Sequence, residues 1–319
     1  MHGKKSLASQ AQLAYVEARG RQPGVGRRQL KLQIVDHFWR LSKAEKTEAI
    51  QKAATSSPVT SLSETDPDPN DIPGLGDSRA IGTRGIVVRT HFDSAEETAW
   101  NNFLSSLEDL ERRSLDNIAD TQMEEDDESE SDEEADDVQD NSGDAVQNDV
   151  HDADMEEGGQ PSAINLAYAT DAIFVVVDPT RRPLGETSQA LLSNASNIKL
   201  LRIFNDASIA PCPTLPPNAP KRVKPEHRLI DQDEFQEIYS GPRIWVWDQQ
   251  SAKDQTLRLV SSRVFVYGDS TADSWRARAT HMWDLQVNMD AGMRIDFSGG
   301  VGGGWDMNER ARNMKEAVI

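Results

Sequence analysis

The stretch 85-GIVVRTHFDSAEETAWNNFLSSLEDLERR-113 decides the fold, because its periodicity changes within a few residues. Residues 86–90 are rich in β-branched side chains and suit a strand. Ser94-Ala-Glu-Glu97 has the spacing of a capping box. Behind it, Trp100, Leu104, Leu107 and Leu110 recur on one side of a helix. A strand followed at once by an amphipathic helix opens a layered arrangement in which the helix covers a sheet.

The next segment breaks the pattern. Residues 116–157 hold 20 Asp or Glu and no Lys or Arg, and so account for the whole net charge of −20. With so few aromatic and branched residues, this run cannot offset the entropy of ordering its chain, and residues 116–158 are expected to be a disordered acidic insertion. Order resumes at 172-AIFVVVDP-179, where the continuous run Ile173–Val177 suits a strand buried on both faces. A helix is expected over about 186–193, and 199-KLLRIF-204 reads as another strand. A proline-rich loop runs from Pro211 to Pro225, and 231-DQDEFQEIY-239 reads as a short helix. RIWVWD, LRLVSS and VFVYG supply three more strands between residues 243 and 268. The end of the chain, residues 298–319, combines a glycine-rich hinge with a polar helix.

Toward the N-terminus the charge reverses. The first 57 residues carry 11 Lys or Arg against 4 acids, a net of +7. Leu7, Ala11, Ala14 and Tyr15 mark one helix. After PGVG, the stripe Leu30, Ile34, Phe38 and Leu41 marks a second, and the capping box Ser42-Lys-Ala-Glu45 opens a third. Ser, Pro, Asp and Gly dominate residues 55–80, which read as a linker. The expected organisation is a basic helical module (1–54), a linker (55–80), a body (81–115 and 159–297) interrupted by the insertion (116–158), and the tail (298–319). The expected fold class is α/β or α+β: a mixed sheet with flanking helices, interrupted by a disordered acidic insertion, plus the small N-terminal helical module.

Apolar residues make up 37% of the chain, and the mean hydropathy is −0.64, as a long polar insertion requires. No run approaches the ~18 apolar residues of a membrane span. The single cysteine, Cys212, excludes an internal disulfide and points to a reducing compartment, nuclear or cytoplasmic.

Residues 86-IVVRTHFDSAEETAW-100 resemble the opening of a domain family of unknown function found in bacterial and fungal proteins. That family begins with a strand, an Arg-Thr-(Asp)-(Phe/Tyr) element and a helix carrying Ala-Trp. Its closing stretch is similar to 283-WDLQVNMDAGMRIDF-297, with Trp283, Asn288, Asp296 and Phe297 in the matching places. His91 stands where the family usually has an acid, and the closing stretch carries one extra residue. The resemblance covers residues 84–297 around the insertion. It implies a strand-and-helix body and no particular reaction.

Candidate chemistry is sparse. Gly268-Asp269-Ser270, after a strand-like run, resembles the nucleophile block of GDSL-type esterases. Only 49 residues follow Ser270, none of them forms the Asp-x-x-His that supplies the base, and a serine without a base is a weak nucleophile. A polar turn explains the three residues. The glycines of 299-GGVGGG-304 form neither a Gly-x-Gly-x-x-Gly nor a P-loop pattern. No two of His2, His37, His91, His151, His227 and His281 have ligand spacing, and the acidic run lacks the ligand pattern of a calcium loop. The stretch 38-FWRLSKAEK-46 is similar to the second helix of HMG boxes, but one residue separates its Trp from its Leu instead of two, so Phe38 and Trp39 read as core. No residue is assigned a catalytic, cofactor-binding or metal role.

The remaining signals concern partners. Lys221, Arg222 and Lys224, between Pro220 and Pro225, form a candidate nuclear import signal. Ser129 and Ser131, with acids three residues beyond each, are candidate phosphorylation sites. The acidic insertion suits basic protein partners, the +7 head permits contact with nucleic acid, and no membrane contact is expected. The expected role is an intracellular binding or regulatory protein. The alternatives are an enzyme of unknown reaction on the body, and an insertion that only solubilises.

Overall fold

The computed structural model describes residues 15, 18–22, 24–55, 85–128, 173–181, 186–213, 229, 234–263, 269–297 and 306–317. Its elements in chain order are α1 (Arg27–Arg40), α2 (Lys43–Thr55), β1 (Gly85–Arg89), α3 (Glu97–Glu128), β2 (Phe174–Val177), α4 (Glu186–Leu192) and α5 (Asn197–Phe204). There follow β3 (Asp206–Pro211), β4 (Phe235–Ser240), β5 (Arg243–Trp247), α6 (Gln249–Asp254), β6 (Thr256–Val260), β7 (Ser274–Arg278), α7 (Met282–Asp290) and α8 (Met307–Glu316). The chain divides into two units, residues 1–107 with 172–319, and residues 108–171.

The first unit is built on a mixed five-stranded sheet in the order β2-β1-β5-β6-β7, flanked by helices, and belongs to the α+β class. Strand β1 lies parallel to both β2 and β5, with Val87 opposite Val176 on one side and Trp245 on the other. Strands β6 and β7 continue antiparallel, with Trp245 opposite Leu259 and Leu257 opposite Ala277. The pleat sends alternate residues to opposite faces. Ile86, Val88, Ile244 and Val246 enter one buried cluster with Val35 and Phe38 of α1 and Leu201 and Phe204 of α5. Val87, Trp245 and Trp247 enter the other, with Trp100, Phe103, Leu104 and Leu107 of α3 and Met282 of α7. Burial on both faces is why the central strands read as continuous apolar runs.

Local signals hold where they are complete. The box at Ser42 forms: its N–H donates to Glu45 Oε2 at 2.8 Å, and the Glu45 N–H donates to Ser42 Oγ at 3.4 Å. At α3 the cap is Asp93 rather than Ser94. Its Oδ1 accepts from the Ala95 N–H at 2.9 Å and opens a 3-10 turn before the helix. Helix α3 continues to Glu128, so the first acids of the run, from Asp116, are helical. In the second unit, Asp109 of this helix pairs with Arg112, and its carbonyl accepts from Arg113 at 3.1 Å.

Several expectations are corrected. Residues 199–204 are helical, not a strand. Ser196 Oγ accepts from the Lys199 N–H at 3.2 Å, and α5 buries Ile198, Leu200, Leu201 and Phe204. A short apolar run carries no period that separates the two states. The expected helix at 231–239 is instead strand β4, paired antiparallel with β3, so that Ala207 faces Tyr239 and Ile209 faces Glu237. Pairing overrides a weak helical preference. Strand β7, Ser274–Arg278, was not anticipated; the expected strand at 264–268 lies outside the described residues. The linker at 56–80 also lies outside them.

The described residues of the head and tail, α1, α2 and α8, cluster in the same unit as the sheet. Arg28 Nη1 donates to the Ile203 carbonyl at 2.9 Å, and Lys31 pairs with Asp206 at 2.8 Å. Lys46 is buried over the rings of Phe38 and Trp39, at 5.9 and 5.1 Å. Several of the head's positive charges are therefore engaged inside the protein. Among the described residues, no helix is long and apolar enough to cross a membrane.

The turn from β4 to β5 depends on Gly241, whose φ is +152° and whose added Cβ would lie 2.1 Å from Asn205 Oδ1. Gly241→Ala is expected to cost about 2–3 kcal/mol through strain and displacement of the buried Asn205. An unchanged urea midpoint would refute this.

Candidate functional site: a buried loop clamped by the C-terminal helix

In sheets with parallel strands, ligands bind beyond the carboxyl ends of the strands. Here that edge is filled by the protein's own side chains. Arg89, the last residue of β1, is buried. Its Nε donates to the His91 carbonyl at 2.9 Å, and its Nη1 to Glu97 and Asp178 at 3.3 Å each. The rings of Trp100 and Phe92 flank the guanidinium at 5.2 and 5.3 Å. Asp178, just past β2, accepts from Trp100 Nε1 at 2.7 Å, and from the Thr180 N–H and hydroxyl at 3.0 and 2.7 Å. Burial pushes Asp178 up, but the Thr180 and Trp100 hydrogen bonds and the Arg89 charge outweigh it and hold the carboxyl below its ordinary value. Thr90 ties the same edge to β5, its hydroxyl donating to the Trp247 carbonyl at 3.0 Å. The Arg-Thr-His-Phe element and the Trp of α3 thus form one self-satisfied network that bolts β1, β2 and α3 together.

A second cluster has unsatisfied hydrogen-bonding capacity. The loop 269–273 leads into β7 and is buried throughout. Its turn closes through Ser270 N–H to Asp273 Oδ2 at 2.6 Å and Asp273 N–H to the Ser270 carbonyl at 3.0 Å. Thr271 Oγ1 donates to the Glu237 carbonyl of β4 at 2.5 Å. Ala272 sits in the left-handed region at φ 69°, which costs an alanine about 1–3 kcal/mol. It is held there because its carbonyl accepts from Asn197 Nδ2 of α5 and Asn313 Nδ2 of α8, both at 2.9 Å. Asp273 receives the guanidinium of Arg310 on both oxygens, Nε at 2.6 Å. Burial still raises Asp273 above its ordinary value, against those bonds.

Asp269 has no such partner. It is fully buried, and among the described residues neither carboxyl oxygen makes a hydrogen bond of good geometry, the Phe297 N–H being the donor nearby. Burial, then the Asp273 and Asp296 charges, push it up to about 7, with the Phe297 N–H and Arg310 opposing the rise. Beside it the Ser270 hydroxyl is buried and makes no hydrogen bond among the described residues. No base in the described residues is placed to take its proton. Among the described residues, His, Cys, Asp and Glu form no group of three able to hold a metal ion.

A third network joins the two. Asp248 caps α6, with its Oδ1 3.0 Å from both the Gln250 and Ser251 N–H groups. Its other oxygen meets Arg258 at 3.3 Å and also Arg276. Arg258 reaches on to Glu309 of α8 at 3.5 Å.

The chain matches no family model, no curated protein and no solved structure. What the site can do rests on its own geometry.

Lys221, Arg222, Lys224, Ser129 and Ser131 lie outside the described residues. The sequence reading took Asp269 and Ser270 as a polar turn and missed the carboxyl cluster. Asp269 and Asp273 stand four apart around turn-forming residues, which was the one local hint. Arg310 lies 37 positions beyond Asp273, and nothing in the sequence connects them.

Proposed function

We infer that this is a binding or regulatory protein, not a catalyst, in which the sheet-based unit carries an acidic segment that engages basic protein partners. One observation carries the reading: 20 acids without a single Lys or Arg between residues 116 and 157, beginning on α3. Such a density of one sign steers and retains polycations. The cations of the sheet-based unit support it, since the buried Arg89 and Arg310 and the partly buried Lys31 are all engaged with the unit's own acids. Phosphorylation of Ser129 and Ser131 would add about −1.5 to −2 charge each and tighten the contact. Lys221, Arg222 and Lys224 fit delivery to the nucleus, where histone-like partners are abundant.

Titrating the full chain with core histones, and separately with polylysine, tests this. Deleting residues 121–158 is expected to weaken binding at least tenfold, and affinity should fall steeply with added salt. The deletion should still melt cooperatively. Equal binding by the deleted chain would remove the reading.

Asp269 favours a second reading, an enzyme of unknown reaction. A buried carboxyl near neutrality is the usual state of a general acid or base. Hydrolysis of model esters that disappears in Asp269→Asn would make this reading first.

A further inference from the structure

Helix α8 docks in an unusual way. Its Glu309 and Asn313 side chains accept from the Asn197 and Ile198 N–H groups at 2.7 and 3.1 Å, which satisfies donors at the N-terminus of α5 that have no partner within that helix. In return, Arg202 of α5 donates to the Glu316 and Ala317 carbonyls at 3.0 and 3.2 Å, where α8 ends. The two helices cap each other. Arg312 adds bonds to the Asn194 and Ala195 carbonyls at 3.0 and 3.2 Å, and Ser196 donates to Glu316. The apolar share of the contact is small: Met314 partly buried and Ala317 fully buried. Compare α3, which buries Trp100, Phe103, Leu104 and Leu107. Polar interfaces of this kind are typical of reversible docking. In sequence, α8 follows five glycines within residues 299–304.

The anchors for α8 are concentrated on one loop. Asp273 holds Arg310, and the Ala272 carbonyl holds Asn313. Asp269, buried without a salt bridge among the described residues, belongs to that same loop. The charged groups around it are Asp273 on its own loop, Asp296 beyond α7, and Arg310 on α8, with the Phe297 N–H as the nearby dipole. Burial outweighs the Arg310 charge at Asp269, so an ionised Asp269 favours an opened, hydrated loop, and Ala272 and Asp273, which hold α8, lie on that loop. We propose that α8 is a releasable C-terminal latch, docked by ionic and hydrogen-bonded contacts onto the 269–273 loop and loosened when Asp269 ionises.

The raised carboxyl supports the direction. Opening becomes easier as pH rises toward about 7 and then levels off. Amide hydrogen exchange of the full chain at about pH 5 and about pH 8, corrected for intrinsic rates, reads it out. Amides of α8 and the first turn of α5 are expected to be at least about tenfold less protected than those of β1. Their protection should fall about a hundredfold between the two pH values in the unmodified chain, and stay level in Asp269→Asn. Arg310→Gln, which removes the clamp and leaves Asp269 in place, should expose α8 at both pH values. Protection of α8 equal to that of β1 would overturn the latch, as would a pH-dependent fall that persists in Asp269→Asn or an α8 that stays protected in Arg310→Gln.

Discussion

Asp269→Asn is expected to raise stability at pH 8 by up to about 4 kcal/mol and to leave it unchanged near pH 4. Folding carries this carboxyl from 3.8 to about 7, chiefly by burial. The native chain therefore holds a proton that the unfolded chain has released at any pH between those values. Stability linked to Asp269 is complete below about 3.8 and is lost as pH rises through about 7. Asn keeps the shape and cannot ionise, so its denaturation midpoints should lack that slope. Urea titrations of both chains across this range measure the difference. Parallel curves would show that Asp269 is hydrated or partnered in solution.

Arg89→Met should be the most damaging single change at the sheet edge. It leaves Asp178 buried, 3% exposed, with only the half-exposed Arg181 near it at 3.7 Å. Removing one partner of a buried pair costs about 3–5 kcal/mol. For a unit of this size that lowers Tm by roughly 10 °C. Glu97 is 44% exposed at its side chain and can return to water, so it adds little. The companion Asp178→Asn keeps an acceptor for Trp100 and Thr180. In the Arg89→Met background it should recover part of the loss, giving a coupling of about 1–3 kcal/mol in a double-mutant cycle. Strict additivity of the two single changes would mean that the ion pair contributes nothing.

The Arg-Thr pair and the Trp of α3 meet Asp178 and Trp247 at one edge. Their work is to hold three strands and a helix in register, whatever the loops beyond them do. The Ser270 hydroxyl is buried and, among the described residues, makes no hydrogen bond.

Local order determined much by itself. The β-branched runs at 86–88 and 174–177, the stripe on α1, and the Ser42–Glu45 box are short-range patterns, and each forms where its residues place it. The charge asymmetry needs no fold at all: +7 in the head and 20 acids unopposed by any Lys or Arg from 116 to 157 belong to the chain itself. Tertiary structure decided the rest. Residues 199–204 and 235–239 carry no decisive period, so packing on α8 made one a helix and pairing with β3 made the other a strand. The head joined the core because Phe38 had a sheet face to cover. The clamp of Asp273 by Arg310 and the bolt of Asp178 by Arg89 span 37 and 89 positions. Such contacts exist only after strands have found their register, because a one-residue slip in β1 would turn Arg89 to the opposite face.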